Sequence, residues 1–161
     1  MIDMLQNIAA SRPAQGALLG LDVGKKTIGV ALVQDGQGFS TPLTTIKRTK
    51  FTKDIMQLQA IVQEYEVSGF VIGLPLNMDG SEGPRAQSVR DFAAELVRYP
   101  DIVGAEPWLA LWDERLSTQI VEGFVDRAVG KRKTRINAKD SGLIDKLAAR
   151  HILQDALDFM G

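Results

Sequence analysis

The chain has 161 residues, 45% hydrophobic and 24% charged, the balance of a soluble globular protein with a core of ordinary size. It contains no cysteine, which excludes a disulfide scaffold and any thiolate zinc site. A net charge of −1 speaks against a protein that coats nucleic acid by bulk electrostatics.

Residues 1–16 lack a basic start followed by an apolar stretch, so they do not read as a secretory signal. No apolar run approaches the roughly 18 residues of a membrane span. A cytoplasmic protein without a membrane partner is the expectation. Residues 1–16 read as a loosely attached extension of no assigned role, punctuated by Arg12, Pro13 and Gly16, ahead of a single domain at 17–161.

Residues 18–23 form a short apolar strand, 28–33 a second, and the turn at Asp35, Gly36 and Gly38 leads into a third over 39–46. Such tight connections predict antiparallel pairing, and Pro42 places the third strand at an edge or delays its start. Ile55, Leu58, Ile61, Val62 and Tyr65 then recur at helical spacing, predicting a helix over 52–66. A strand follows at 70–74 and a polar, Gly-rich loop at 77–83. Pro84 suits the first turn of a helix that Pro100 stops. An apolar run at 108–112, a helix over 117–128 opened by Ser117, and a final helix over 141–159 complete the order. The class is α/β: a mixed five-stranded sheet, with a three-strand antiparallel meander plus two parallel strands and helices on both faces.

Three carboxylates interrupt or end apolar stretches: Asp22, Glu114 and Asp145. An unpaired buried carboxylate is costly, and a hard divalent cation, Mg²⁺ or Mn²⁺, satisfies several at once. Gly20 and Gly24 leave little bulk beside Asp22; the alternative is a strand-end Asp bonding to turn amides. Glu114 lies where ligands meet the carboxyl ends of parallel strands. Its alternative is a surface pair with Arg115, and Asp113 is left as a supporting residue, because neighbours on a strand face opposite ways. Asp145 shares a helical stripe with Ala148, Ala149, Ile152 and Ala156, which points it toward a buried face; solvation at the helix edge is its alternative. The single histidine, His151, reads as a packing or capping residue rather than a ligand.

Basic residues gather at Lys47, Arg48, Lys50 and Lys53, equally readable as a solvated face. The second cluster, Lys131, Arg132, Lys133, Arg135 and Lys139, packs five cations into nine positions and reads as a phosphate-facing loop.

Four segments resemble the YqgF family, also called RuvX: Asp-Val-Gly-Lys-Lys-Thr-Ile-Gly-Val-Ala from Asp22, Gly-Leu-Pro-Leu-Asn-Met-Asp-Gly-Ser-Glu-Gly-Pro-Arg-Ala from Gly73, Trp-Asp-Glu-Arg-Leu-Ser-Thr from Trp112, and Ile-Asp-Lys-Leu-Ala-Ala from Ile144. They stand in the family's order. The resemblance implies an RNase H-like fold and a nuclease, proposed for the 5′ end of pre-16S rRNA and earlier for four-way DNA junctions. It implies an acidic, metal-holding triad of Asp22, Glu114 and Asp145. Lys26, Asn77, Arg85 and Arg115, with Lys131, Arg132, Lys133 and Arg135, are the candidate nucleic-acid contacts. The family commonly carries Lys-Arg where this chain has Lys26-Thr27. The expected partner is pre-rRNA or branched DNA, and the expected state a monomer or homodimer. Two rivals stand beside this reading: a non-catalytic RNase H-like binding module, and a phosphotransferase of the sugar kinase and actin type, which would need a second copy of the Asp22 hairpin that the chain lacks.

Overall fold

The computed structural model describes residues 1–116 and 142–161. Its strands are β1 (Ile2–Met4), β2 (Ala17–Val23), β3 (Thr27–Val33), β4 (Thr41–Lys47), β5 (Val67–Leu74) and β6 (Leu109–Asp113). They form one sheet in the order β1-β6-β5-β2-β3-β4. The meander β2–β3–β4 is antiparallel, while β5 runs parallel to β2 and β6 parallel to β5.

The described helices are α1 (Leu5–Ile8), α2 (Phe51–Tyr65), α3 (Pro84–Leu96), α4 (Pro100–Val103) and α5 (Leu143–Met160). Strand side chains alternate between faces, and the two cores follow that parity. Leu19, Leu21, Val23, Ile28, Val30, Phe70, Ile72, Leu74, Leu109 and Leu111 pack under α2 and α3. Leu18, Ala31, Val33, Val71, Ala110 and Trp112 pack on the opposite face under α5. Asp22 and Thr27 have the parity of the second set, so their side chains belong to the α5 face. The apolar stripe expected on the last helix is real: Ala149, Ile152 and Ala156 are all buried there.

The sheet has six strands rather than five. The segment before Gly16, read above as loosely attached, supplies the sixth: β1 pairs in parallel with β6, from Ile2↔Leu109 to Met4↔Leu111. The Met1 ammonium donates to Pro107 O at 2.8 Å, and the Trp108 indole N–H donates to Ile8 O at 3.0 Å. A three-residue strand shows no alternation in sequence, which is why it escapes a periodicity argument. Two boundaries also move. The third meander strand begins at Thr41, with Pro42 on the edge strand where a missing N–H costs no ladder bond. The helix begun at Pro84 ends at Leu96, and Pro100 opens α4 as its first residue. The helix expected over 117–128 and the cluster Lys131, Arg132, Lys133, Arg135 and Lys139 lie outside the described residues.

Candidate active site

Asp22 occupies the next-to-last position of β2, opposite Gly29 on β3. Glu114 follows the last residue of β6 and opens a 3₁₀ turn, Glu114–Leu116. The turn breaks the strand's alternation, so Asp113 and Glu114 go to different partners. Asp145 sits in the first turn of α5. Gly142, at φ +76°, starts that helix, and the Thr45 hydroxyl fixes it by donating to Gly142 O at 2.7 Å.

Asp22 and Glu114 are hydrogen-bonded to each other through a shared proton. Burial comes first in raising both carboxyls. It pushes Glu114 up to about 8, with help from the neighbouring Asp22 charge, while the Arg85 guanidinium opposes the rise. Asp22 is raised in the same direction, with the Asp145 charge adding to burial and Arg85 again opposing. The pair therefore retains a proton between its two carboxyls to higher pH than an isolated carboxyl would. Arg85, just inside the N-terminus of α3, also donates to Val23 O at 3.5 Å, which holds it beside the pair.

Asp145 reaches this cleft because the sheet is bare beneath it. A Cβ on Gly29 would collide with the Asp145 backbone carbonyl, so α5 can lie on β3 only over a glycine. A Cβ on Gly73 would collide with the Glu114 carboxylate and the Ile152 side chain. Thr27, first residue of β3, donates its hydroxyl to Asp145 Oδ2 at 3.0 Å.

Two further arginines shape the rim. Arg48 donates to Gly24 O at 2.6 Å and stacks over the Phe92 ring at 5.6 Å, clamping the turn that carries Lys26. One member of the first basic cluster is thus structural. Arg115 makes a bidentate pair with Asp113, with Nη2 at 2.6 Å from Oδ2, and donates from Nη1 to Met78 O at 3.2 Å. Its partner is Asp113, two residues away, rather than Glu114. Asn77 bonds within its own loop, from Nδ2 to Ser81 Oγ at 3.0 Å. Lys26 and Arg85 are exposed. His151 lies half-buried on α5.

No group of three or more His, Cys, Asp or Glu side chains among the described residues is poised as it stands to hold an ion. Asp22 and Glu114 are closed on one proton, and Asp145 is held by Thr27. The donor chemistry nevertheless fits a hard dication. All the facing ligands are oxygen, and two of them are crowded enough to retain a proton that a cation can replace. Sequence reasoning passed over Thr27 as a partner of Asp145, and Gly29 and Gly73 as the floor of the cleft. Strand parity was the signal available for all three, since each shares the face of Asp22.

A family model described as "RuvX: Holliday junction resolvase" matches residues 16–159. The "Putative pre-16S rRNA nuclease" of Rhodospirillum centenum is 47% identical over 154 residues, covering 96% of this chain and 79% of that protein. A protein of the same name from Cereibacter sphaeroides strain KD131 is 48% identical over 163 residues, covering 99% and 95%. The fold is RNase H-like: RuvC of T. thermophilus, solved in complex with a Holliday junction substrate, superposes with a TM-score of 0.52 at 13% identity, covering 91% of this chain and 97% of that one. Matched along nearly its whole length by the family model and by relatives close to half identical, the chain belongs to the RuvX family.

Proposed function

We propose that this protein is a metal-dependent endonuclease that hydrolyses phosphodiester bonds in structured RNA, acting at the 5′ end of pre-16S rRNA in the cytoplasm, with Asp22, Glu114 and Asp145 as its catalytic carboxylates. The observation that carries this reading is the meeting of half-buried Asp22, near the end of β2, with half-buried Glu114, just past β6, while Asp145 faces them from the first turn of α5. Evolution of a purely binding surface gives no reason to crowd three acids in a cleft meant for a polyanion. The choice of RNA rests on the names of the relatives at 47% and 48% identity.

Mg²⁺ or Mn²⁺ held by the three carboxylates would supply positive charge at the scissile phosphate and acidify the attacking water. The chain's own groups do the rest. The Asp22–Glu114 pair gives up its proton as it opens, leaving two carboxylates where one was charged. Arg85 points a guanidinium at the same cleft from a helix N-terminus, where backbone amides already favour a phosphate. Thr27 keeps Asp145 in one rotamer, and Gly24 leaves room for a sugar–phosphate backbone beside Asp22. Lys26, Asn77 and Arg115, with Lys131, Arg132, Lys133 and Arg135, complete the proposed contact set; among them Arg115 acts by holding the loop at Met78. The nuclease domain, to which residues 2–4 add an edge strand, acts as a monomer or homodimer, and none of the described helices is long and apolar enough to cross a membrane.

The test compares a pre-16S rRNA fragment with a four-way DNA junction, each with Mg²⁺, Mn²⁺ or excess EDTA. Cleavage of the RNA with either metal and none in EDTA is the expected result. Full activity in EDTA after dialysis overturns the metal dependence, and preferential cutting of the junction transfers the substrate assignment to branched DNA, the activity in the family's description.

A further inference from the structure

Met78 is the most exposed large hydrophobic residue in the described chain, at 87%. A single exposed apolar side chain is ordinary on a protein surface. Its mounting is not. Leu76 and Glu82 bridge as an antiparallel pair, Asn77 N donates to Ser81 O at 2.9 Å, and Gly80 N donates to Asn77 O at 2.8 Å. Asp79 Oδ1 accepts from Ser81 N at 2.9 Å and from Ser81 Oγ at 2.6 Å, while Gly80 turns the chain at φ +87°. The backbone of Met78 itself is tied down, since its carbonyl accepts from Arg115 Nη1, and Arg115 is gripped by Asp113 next to Glu114. This hairpin, following β5 at its carboxyl end, therefore holds Met78 out rigidly, and it is tethered to the residues flanking Glu114.

We propose that Met78 is a nucleobase contact, packing its thioether on the face of a base, or between two bases, of the nucleic acid bound at the acidic cleft; the inference rests on the nuclease reading above. Three observations select this occupant. The side chain is unbranched and polarisable, the kind that contacts an aromatic face without demanding one geometry. Methionine is among the apolar wedges that proteins insert at base steps. Its neighbours in the hairpin, Asn77, Asp79 and Ser81, are polar and exposed, so the hairpin itself extends Met78 into no apolar patch of the kind a protein partner covers.

The test uses the full chain carrying Asp22→Asn, intended to bind without cutting, and a pre-16S rRNA fragment with 2-aminopurine placed along the strand near the cleavage site. Adding Met78→Ala should weaken binding about tenfold at every salt concentration and leave the salt slope unchanged, because stacking releases no counterions. The 2-aminopurine signal should change on binding to the Asp22→Asn parent and fall away with Met78→Ala. Met78→Phe should retain affinity. Melting temperature should not move, given the exposure. Equal affinity of parent and Met78→Ala overturns the proposal, as does a change confined to the salt slope or to oligomeric state. A parent that binds no RNA, with a wild type that cleaves none, overturns the nuclease reading and this inference with it; cleavage by wild type with Met78→Ala unaltered overturns this inference alone.

Discussion

Thr27 donates its hydroxyl to Asp145 across 118 residues of sequence, from the first position of a central strand to the first turn of the last helix. Thr27 thus supplies Asp145 with a neutral hydroxyl donor. Thr27→Val keeps the shape and deletes the donor. It should lower cleavage roughly fivefold and cost about 1 kcal/mol of stability, the usual worth of one such bond. Thr27→Ser should restore most of both, and Mn²⁺ affinity measured by calorimetry should follow the same order. Equal metal affinity in the valine and serine variants would remove Thr27 from the site.

The three carboxylates should separate chemistry from binding. Asp22→Asn, Glu114→Gln and Asp145→Asn should each lower cleavage at least ~100-fold, the scale of losing one charged group from a preorganised site. Affinity for RNA should survive, because Lys and Arg contacts to phosphate supply most of it. Metal-free Asp22→Asn and Glu114→Gln should melt at or above the wild-type temperature, since each relieves a crowded pair. Variants that unfold, or that cut normally, would make these residues structural.

Stability of the metal-free protein should fall with rising pH. Glu114 is raised from 4.5 to about 8, so between those values the folded chain holds a proton that the unfolded chain has released. Stability then declines by up to about 1.4 kcal/mol per pH unit across that window and levels off above it. Asp22, raised in the same direction, adds to the decline from its own lower starting value. Urea titrations of wild type and Glu114→Gln should show the slope in the first and a shallower one in the second. Parallel profiles would mean the two carboxyls do not share a proton.

Glycine substitutions provide a structural contrast. Gly29→Ala drives a methyl into the Asp145 backbone and should cost ~1–3 kcal/mol as well as most cleavage, because α5 must lift from β3. Gly38→Ala meets nothing within 4 Å and should be silent in both. Thermal melts with a cleavage assay read out the pair.

Neutralising Lys131, Arg132, Lys133 and Arg135 should weaken RNA binding and flatten its salt dependence. Unaltered affinity across a salt titration would return this cluster to a solvated surface. His151→Ala should cleave nearly as wild type.

Much of the site is legible in the sequence because strand parity and helical stripes survive translation into structure. Asp22 follows Leu18 and Gly20 on one face of β2, and Asp145 heads the stripe of Ala149, Ile152 and Ala156. Partner choice is less legible. Whether Arg115 joins Asp113 or Glu114 depends on where β6 gives way to a 3₁₀ turn, and that depends on packing. Thr27 and Asp145 meet only once the β2–β3 register and the approach of α5 are both set. Residues 2–4 were lost for a different reason: three residues carry no period, and their strand exists only because the edge of β6 is open to them.

The glycine-floored crossing of α5 also orders events during translation. Gly29 and Gly73 receive the helix that brings Asp145, and Gly20 lies under Ala149 and Leu153 of the same helix. A ribosome that has emitted the chain only as far as residue 116 holds a sheet whose α5 face is unroofed and an acidic pair, Asp22 and Glu114, without Asp145. The cleft is completed only after residues 143–160 clear the exit tunnel and dock. A nascent chain, made beside abundant RNA, therefore acquires its full constellation of acids last.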